Sequence, residues 1–109
     1  MEIHDAIDTF SALSQETRLR VFKLLIEYGR DGVIPGKIAE ELGIPDNTLS
    51  FHLSHMSKAG LVTSKKTGRF ITYFANTGLI ESLIAYLQTN CCAREQKTRG
   101  ENSCNERKC

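Results

Sequence analysis

The first half of the chain begins with two helical patterns of apolar residues. Apolar residues recur every three or four positions at Ile3, Ile7, Phe10 and Leu13. This spacing predicts a first helix over about residues 3–12. Ser14 then offers an N-cap for a second helix, and Gly29 ends that helix. Apolar residues cover nearly all sides of the second helix, so we expect it to lie at the centre of the fold.

A helix-turn-helix pattern follows. Pro35 can start a short third helix, which Gly43 stops. The next helix begins about three residues later and runs to Gly60; either Asp46 caps it or Pro45 occupies its first position. Two helices joined by a tight turn that contains glycine make a helix-turn-helix. The buried stripe of the second helix is predicted at Leu49, Leu53 and Met56.

The other face of this fourth helix is polar apart from one aromatic ring. Short polar side chains on such a face can reach base edges in the major groove of DNA. The candidate DNA-contacting residues are Asn47, Thr48, Ser50, Phe51, Ser54, His55 and Lys58. Phe51 leaves two interpretations open, because its ring could contact a thymine methyl group or fold back on the scaffold.

Two β-prone runs come after Gly60, and they predict a hairpin with Thr67-Gly68 at its turn. Its tip is basic, with Lys65, Lys66 and Arg69, which can neutralise phosphates. A helix-turn-helix followed by a basic hairpin is the winged-helix arrangement. The predicted fold class is therefore mainly α with a β-hairpin wing, in the order α-α-α-α-β-β-α.

A last helix is predicted from Thr77 to Asn90, and its apolar surface is broad. Its main stripe consists of Ile80, Leu83, Ile84 and Leu87. This surface is wider than one packing face of a small domain needs, and the first helix also has an apolar stripe. We therefore expect the terminal helices of two chains to pack together in a homodimer.

The 109 residues allow one domain, which we place at residues 1–90, followed by a flexible tail at residues 91–109. No apolar run reaches the roughly 18 to 20 residues of a membrane span, and the N-terminal residues carry acids where a secretory signal carries bases. We expect a cytoplasmic protein that has no membrane partner.

Charge along the chain supports the winged-helix prediction, although the formal net charge is only +1. Residues 47–80 contain no acid, and this block coincides with the fourth helix and the hairpin. We interpret it as a surface for double-stranded operator DNA, with phosphate contacts that make affinity depend on salt. The alternative is a solvated helix face in a protein-interaction module.

Three segments give the chain a resemblance to a known family. They are LSQETRLRVFKLL, KIAEELGIPDNTLSFHLSHMSKAGLV and GRFITYFAN, and the similarity runs from about Phe10 to Gln88. The chain resembles the ArsR/SmtB family of bacterial metalloregulatory repressors. This resemblance implies a cytoplasmic homodimer that represses an operon and releases its operator when an inducer ion binds.

Two sensing sites of that family are absent from this sequence. Many arsenic-responsive members carry a Cys-x-Cys pair in the first helix of the helix-turn-helix, but EELGIPD contains no cysteine. Zinc-responsive members use Asp, His and Glu along the last helix, where this chain offers only Glu81. The resemblance that remains is to members whose cysteines lie at and beyond the end of the last helix, typically a vicinal pair plus one downstream.

All four cysteines lie in the last 19 residues, and Cys91, Cys92 and Cys104 match that arrangement. Adjacent cysteines have Cα atoms about 3.8 Å apart, below the usual disulfide range of roughly 4.4 to 6.8 Å, so a disulfide between Cys91 and Cys92 would be strained. Two thiolates on one soft ion fit better. Cys109 is either a spare thiol or a fourth ligand.

The sequence therefore predicts a repressor that dissociates from its operator when As(III) binds the C-terminal thiolates. Sb(III) or another thiophilic ion is an alternative inducer, and a repressor of the same fold that senses cadmium, lead or thiol oxidation is an alternative function. An enzyme, either a thiol oxidoreductase or an arsenic-processing enzyme, is a third alternative. No Cys-x-x-Cys, phosphate-binding glycine loop or nucleophile-base pattern supports it, so we expect no catalytic activity.

Overall fold

Five helices and one antiparallel hairpin make up residues 1–96, the part of the chain that the computed structural model describes. The elements are α1 Ile3–Leu13, α2 Glu16–Tyr28, α3 Pro35–Leu42, α4 Asp46–Lys58, β1 Val62–Thr67, β2 Phe70–Ala75 and α5 Thr77–Gln88. A short 3₁₀ turn, Gly29–Asp31, follows α2. The order and the hairpin confirm the winged helix-turn-helix prediction.

The junction between α1 and α2 differs from the prediction by one residue. The N-cap of α2 is Gln15, whose side-chain oxygen accepts a hydrogen bond from the backbone N–H of Arg18 at 2.9 Å. Ser14 is instead the C-cap of α1, and its hydroxyl donates to the carbonyl of Ser11. Ser14 therefore does not cap α2, because its hydroxyl is used at the end of the preceding helix.

The core forms where α2 packs against α1, α3, α4 and β2. The buried apolar residues of α2 are Val21, Phe22, Leu24 and Leu25. Leu19 and Ile26, however, are 46% and 41% exposed, so the prediction that α2 is buried on nearly all sides was too broad. The elements that pack against α2 therefore leave the side chains of Leu19 and Ile26 only partly covered.

The hairpin turn lies one residue later than predicted. β1 and β2 pair from Val62 with Ala75 to Thr67 with Phe70, which leaves Gly68 and Arg69 as the two turn residues. Gly68 has a φ of 62°. A two-residue turn with glycine at its first position is typical of the II′ type, whereas the β-branched Thr67 suits the strand.

α5 packs on α1 and ends at Gln88, two residues before the predicted end. One side of this pair of helices is exposed in the single chain. Its large apolar residues, all about half exposed, are Ile3, Ile7, Phe10, Ile84 and Leu87. Within residues 1–96, none of the helices combines the length and hydropathy that crossing a bilayer requires.

Candidate nucleic-acid interface and thiol pair

α4 is fixed on the core by one stripe of side chains, and this orients the opposite face outward. Leu49, Leu53 and Met56 are 1%, 2% and 0% exposed, as their spacing predicts. The predicted DNA-contacting side chains of α4 are exposed, except that of His55, which is half-buried. The structure therefore places these residues on one continuous surface of the helix-turn-helix.

The N-terminus of α4 differs from both alternatives that the sequence left open, a cap by Asp46 and Pro45 at the first helical position. Pro45 is the N-cap residue without a side-chain hydrogen bond, and its carbonyl accepts from the backbone N–H of Leu49 at 3.0 Å. Asp46 lies in the first turn, where its negative charge interacts favourably with the positive end of the helix dipole. Asp46 therefore contributes charge to this helix terminus and does not cap it.

A buried polar link, which the sequence pattern did not predict, joins α4 to the α1–α2 junction. Arg18 is only 9% exposed, and its Nε donates to the carbonyl of Ala12 at 2.7 Å. Its Nη1 lies 3.3 Å from Nδ1 of His52, which is also 9% exposed. Because a guanidinium can only donate, Nδ1 of His52 accepts this hydrogen bond and its ring is neutral. The signal for the buried position of His52 is its spacing of three residues from Leu49 on the inward stripe.

The environment of His52 opposes protonation. Burial lowers the pKa of this imidazole below 6.5, and the positive charges of Arg18 and His55 lower the pKa further. A proton on Nδ1 would also remove the acceptor that Arg18 uses. The link between α4 and the α1–α2 junction therefore requires the neutral form of His52.

This lowered pKa predicts how stability depends on pH. Between the folded pKa and about 6.5, the unfolded chain binds more protons than the folded chain, so stability falls as pH falls through this window. We expect His52→Gln to flatten the decline in thermal unfolding temperature between pH 7.5 and 5.5, because the neutral amide cannot titrate. His4→Gln, on the exposed face of α1, should retain the decline of the natural protein. Equal declines in the natural protein and His52→Gln would contradict this account.

The wing presents its basic side chains on both sides of the hairpin tip. Lys65 and Lys66 are consecutive in β1, so their side chains point to opposite faces, and Arg69 occupies the turn between the strands. All three are exposed. Such a tip can contact phosphates whichever face of the hairpin meets the DNA backbone.

The structure brings Cys91 and Cys92 together directly after α5. Both are exposed, and their sulfur atoms lie 3.4 Å apart. Asn90 and Cys92 have φ values of 64° and 62°, in the left-handed region that turns the chain sharply. The backbone N–H of Cys91 donates to the carbonyl of Gln88 at 3.0 Å, so the turn is attached to the last residue of α5.

Cys104 and Cys109, the other two predicted ligands, lie outside the described residues. Within residues 1–96, no three His, Cys, Asp or Glu side chains form a group that could hold a metal ion. The two adjacent cysteines are therefore the part of the predicted thiol site that can be described.

Comparison with known proteins agrees with the helix-turn-helix and the wing. A family model described as a helix-turn-helix domain matches residues 13–65. An HTH-type transcriptional regulator of Methanocaldococcus jannaschii is 37% identical over 79 residues, or 72% of this chain and 86% of its own. The transcriptional repressor SdpR of Bacillus subtilis is 31% identical over 80 residues, or 73% of this chain and 86% of its own.

A solved structure has the same fold along most of the chain. The ArsR-like transcriptional regulator from Rhodococcus sp. RHA1 superposes with a TM-score of 0.75 at 26% identity, over 89% of each chain. The fold and the relatives together define a DNA-binding transcription regulator, not an enzyme. The chain belongs to the ArsR/SmtB family of winged-helix regulators.

Proposed function

We propose that this regulator is an arsenite-responsive repressor that binds its operator as a homodimer and releases it when As(III) binds Cys91, Cys92 and Cys104. The observation that carries the proposal is the pair of sulfur atoms 3.4 Å apart at the end of α5. The resemblance to arsenic-responsive members with C-terminal cysteines supports the same assignment.

The two sulfurs are close enough to bind the same ion. Two metal–sulfur bonds of about 2.3 Å reach sulfur atoms up to about 4.6 Å apart, and the separation here is 3.4 Å. Three sulfurs around trivalent arsenic form a pyramid that leaves room for its lone pair, whereas four sulfurs around zinc or cadmium form a tetrahedron.

A third sulfur would come from the segment that follows the pair. Eleven residues, 93–103, separate Cys92 from Cys104. Closing a loop of this length costs only a few kcal/mol of chain entropy, so Cys104 is a suitable third ligand. A fourth sulfur from Cys109 would instead favour a tetrahedral ion such as cadmium.

A second copy of the chain is the partner that we propose for the exposed side of α1 and α5. Ile7 and Leu87 are 54% and 58% exposed in the single chain, although both belong to apolar stripes. Burying such side chains stabilises an assembly by roughly 25 cal/mol per Å² of apolar surface. To bind two half-sites, a twofold dimer needs its two copies of α4 about 34 Å apart, the spacing of successive major grooves.

The contacts of the structure suggest how thiol binding affects DNA binding. The turn that holds Cys91 is bonded to α5, α5 packs on α1, and Arg18 joins the end of α1 to His52 of α4. A shift of α5 on capture of the ion would change the spacing of the two recognition helices. Couplings of ~1 to 3 kcal/mol are typical of such systems, or roughly 5- to 150-fold in affinity.

The proposal is tested by measuring operator binding during a titration with arsenite. An operator is first selected from a pool of random duplexes, and binding of the full chain is followed by fluorescence anisotropy. We expect release of the operator to increase in proportion to the arsenite added and to be complete at about one equivalent per site. Release by cadmium or peroxide with no release by arsenite would assign the repressor to the alternative inducers.

The wing should contribute mainly through phosphates. We expect Lys65→Ala to weaken operator binding and to reduce the slope of log affinity against log salt by up to about 1.8, because a dimer loses two phosphate contacts of about 0.9 each. Lys23→Ala is the matched control, because Lys23 is an exposed lysine of α2. An unchanged slope in Lys65→Ala would exclude Lys65 from contact with the phosphates.

A further inference from the structure

Phe51 has an exposed ring on a helix face that is otherwise polar. Its side chain is 67% exposed, which is the highest value among the large apolar side chains of residues 1–96. The ring therefore does not fold back on the scaffold, the alternative that the sequence left open. An aromatic ring this exposed contributes little to folding, so its role is better sought in an interaction.

The neighbouring residue holds Phe51 in this orientation. His52 is buried and accepts the hydrogen bond from Arg18, and this contact adds to the buried stripe of α4 in fixing the rotation of the helix about its own axis. The rings of Phe51 and His52 meet edge to face, with centroids 5.6 Å apart and planes at 67°. The Phe51 ring is thus restrained before any DNA binds, which reduces the entropy cost of a contact.

The ring forms one wall of an open cavity of about 240 Å³ on the surface of α4. The other walls are Ser54, His55 and Lys58. This cavity combines an apolar surface with a hydroxyl, an imidazole and an ammonium group. A base edge with a methyl group beside a hydrogen-bond acceptor matches that combination, and Lys58 can contact a nearby phosphate.

We propose that Phe51 is a specificity-determining residue that recognises the 5-methyl group of a thymine in the major groove of the operator. Thymine alone among the four bases presents a methyl group there. Charge complementarity favours DNA as the occupant, because the cavity lies within the acid-free block at residues 47–80. The inference rests on the proposed function, since it specifies how the same recognition helix reads its operator.

The experiment replaces operator thymines by deoxyuridine, one symmetric pair at a time, and measures affinity for the full chain. Deoxyuridine removes only the methyl group. At one symmetric pair of positions, we expect the replacement to weaken binding by the natural protein about fourfold per methyl group, or roughly 15-fold for the pair. This is the effect of returning one buried methyl group per half-site to water. At these positions Phe51→Ala should bind the thymine and deoxyuridine operators equally.

Phe70→Ala is the matched control, because Phe70 is a similarly exposed phenylalanine at 62% but lies in the wing. This variant should keep the preference for thymine. Equal binding of every deoxyuridine operator by the natural protein, or a preference that survives in Phe51→Ala, would overturn the inference. Neither result would contradict operator binding or its release by arsenite, which are measured separately. Failure of the natural protein to select any operator from the random pool would overturn both proposals.

Discussion

The double variant Cys91→Ser/Cys92→Ser should bind the operator as tightly as the natural protein and should no longer release it on addition of arsenite. Serine hydroxyls remain protonated at neutral pH and are hard ligands, so they do not replace thiolates on a soft ion. Both cysteines are exposed and lie outside the core, so the fold should be unaffected. Anisotropy titrations with arsenite, together with thermal unfolding curves of the free proteins, measure these properties.

The single variants separate the contributions of the sulfurs. Cys91→Ser and Cys92→Ser should each lose the response, whereas Cys109→Ser should retain it if three sulfurs bind the ion. A full arsenite response in the double variant would exclude the vicinal pair as the sensor. Loss of operator affinity without arsenite would instead indicate that these residues support the DNA-bound state directly.

A charge on the exposed side of α5 should disrupt the dimer and weaken operator binding. Leu87→Glu would place a charge where we propose that two copies of α5 and α1 meet, and burying an unpaired carboxylate is strongly unfavourable. We expect the variant to be a folded monomer and to lose about 100-fold or more in operator affinity, because each half-site is then bound independently. Sedimentation velocity and operator titrations at matched protein concentrations measure both.

Leu19→Glu is the matched control for this prediction. Leu19 is 46% exposed on α2, so the control introduces the same charge at an apolar surface position on another helix. It should remain dimeric and retain its affinity for the operator. A dimeric Leu87→Glu protein would show that the subunits associate through a different surface.

Sequence periodicity predicted most of the fold because the helices have strong local boundaries. Pro35 starts α3, and Gly29 and Gly43 end helices at positive φ values of 59° and 66°. The errors arose where neighbouring side chains compete for one role. Gln15, not Ser14, caps α2. The hairpin turn is Gly68-Arg69 and not Thr67-Gly68, because the first turn position has a positive φ that glycine adopts readily and threonine does not.

The outward, DNA-contacting face of α4 was also predictable, because the inward stripe of this helix determines which residues point outward. The link between Arg18 and His52 was not, because it joins residues 34 positions apart and depends on how α2 packs against α4. The sequence likewise placed Cys91 beside Cys92 but could not indicate the relative direction of their side chains. The left-handed conformation of Cys92 is a structural finding, since cysteine has no local preference for it.

Capture of arsenite by the cysteines after α5 is tested most directly by an arsenic X-ray absorption spectrum of the full chain loaded with one equivalent of arsenite. We expect each arsenic atom to be surrounded by three sulfur atoms in the natural protein. In Cys91→Ser/Cys92→Ser we expect this sulfur shell to be lost. Arsenic bonded only to oxygen in the natural protein would contradict the claim that the cysteines after α5 capture the inducer.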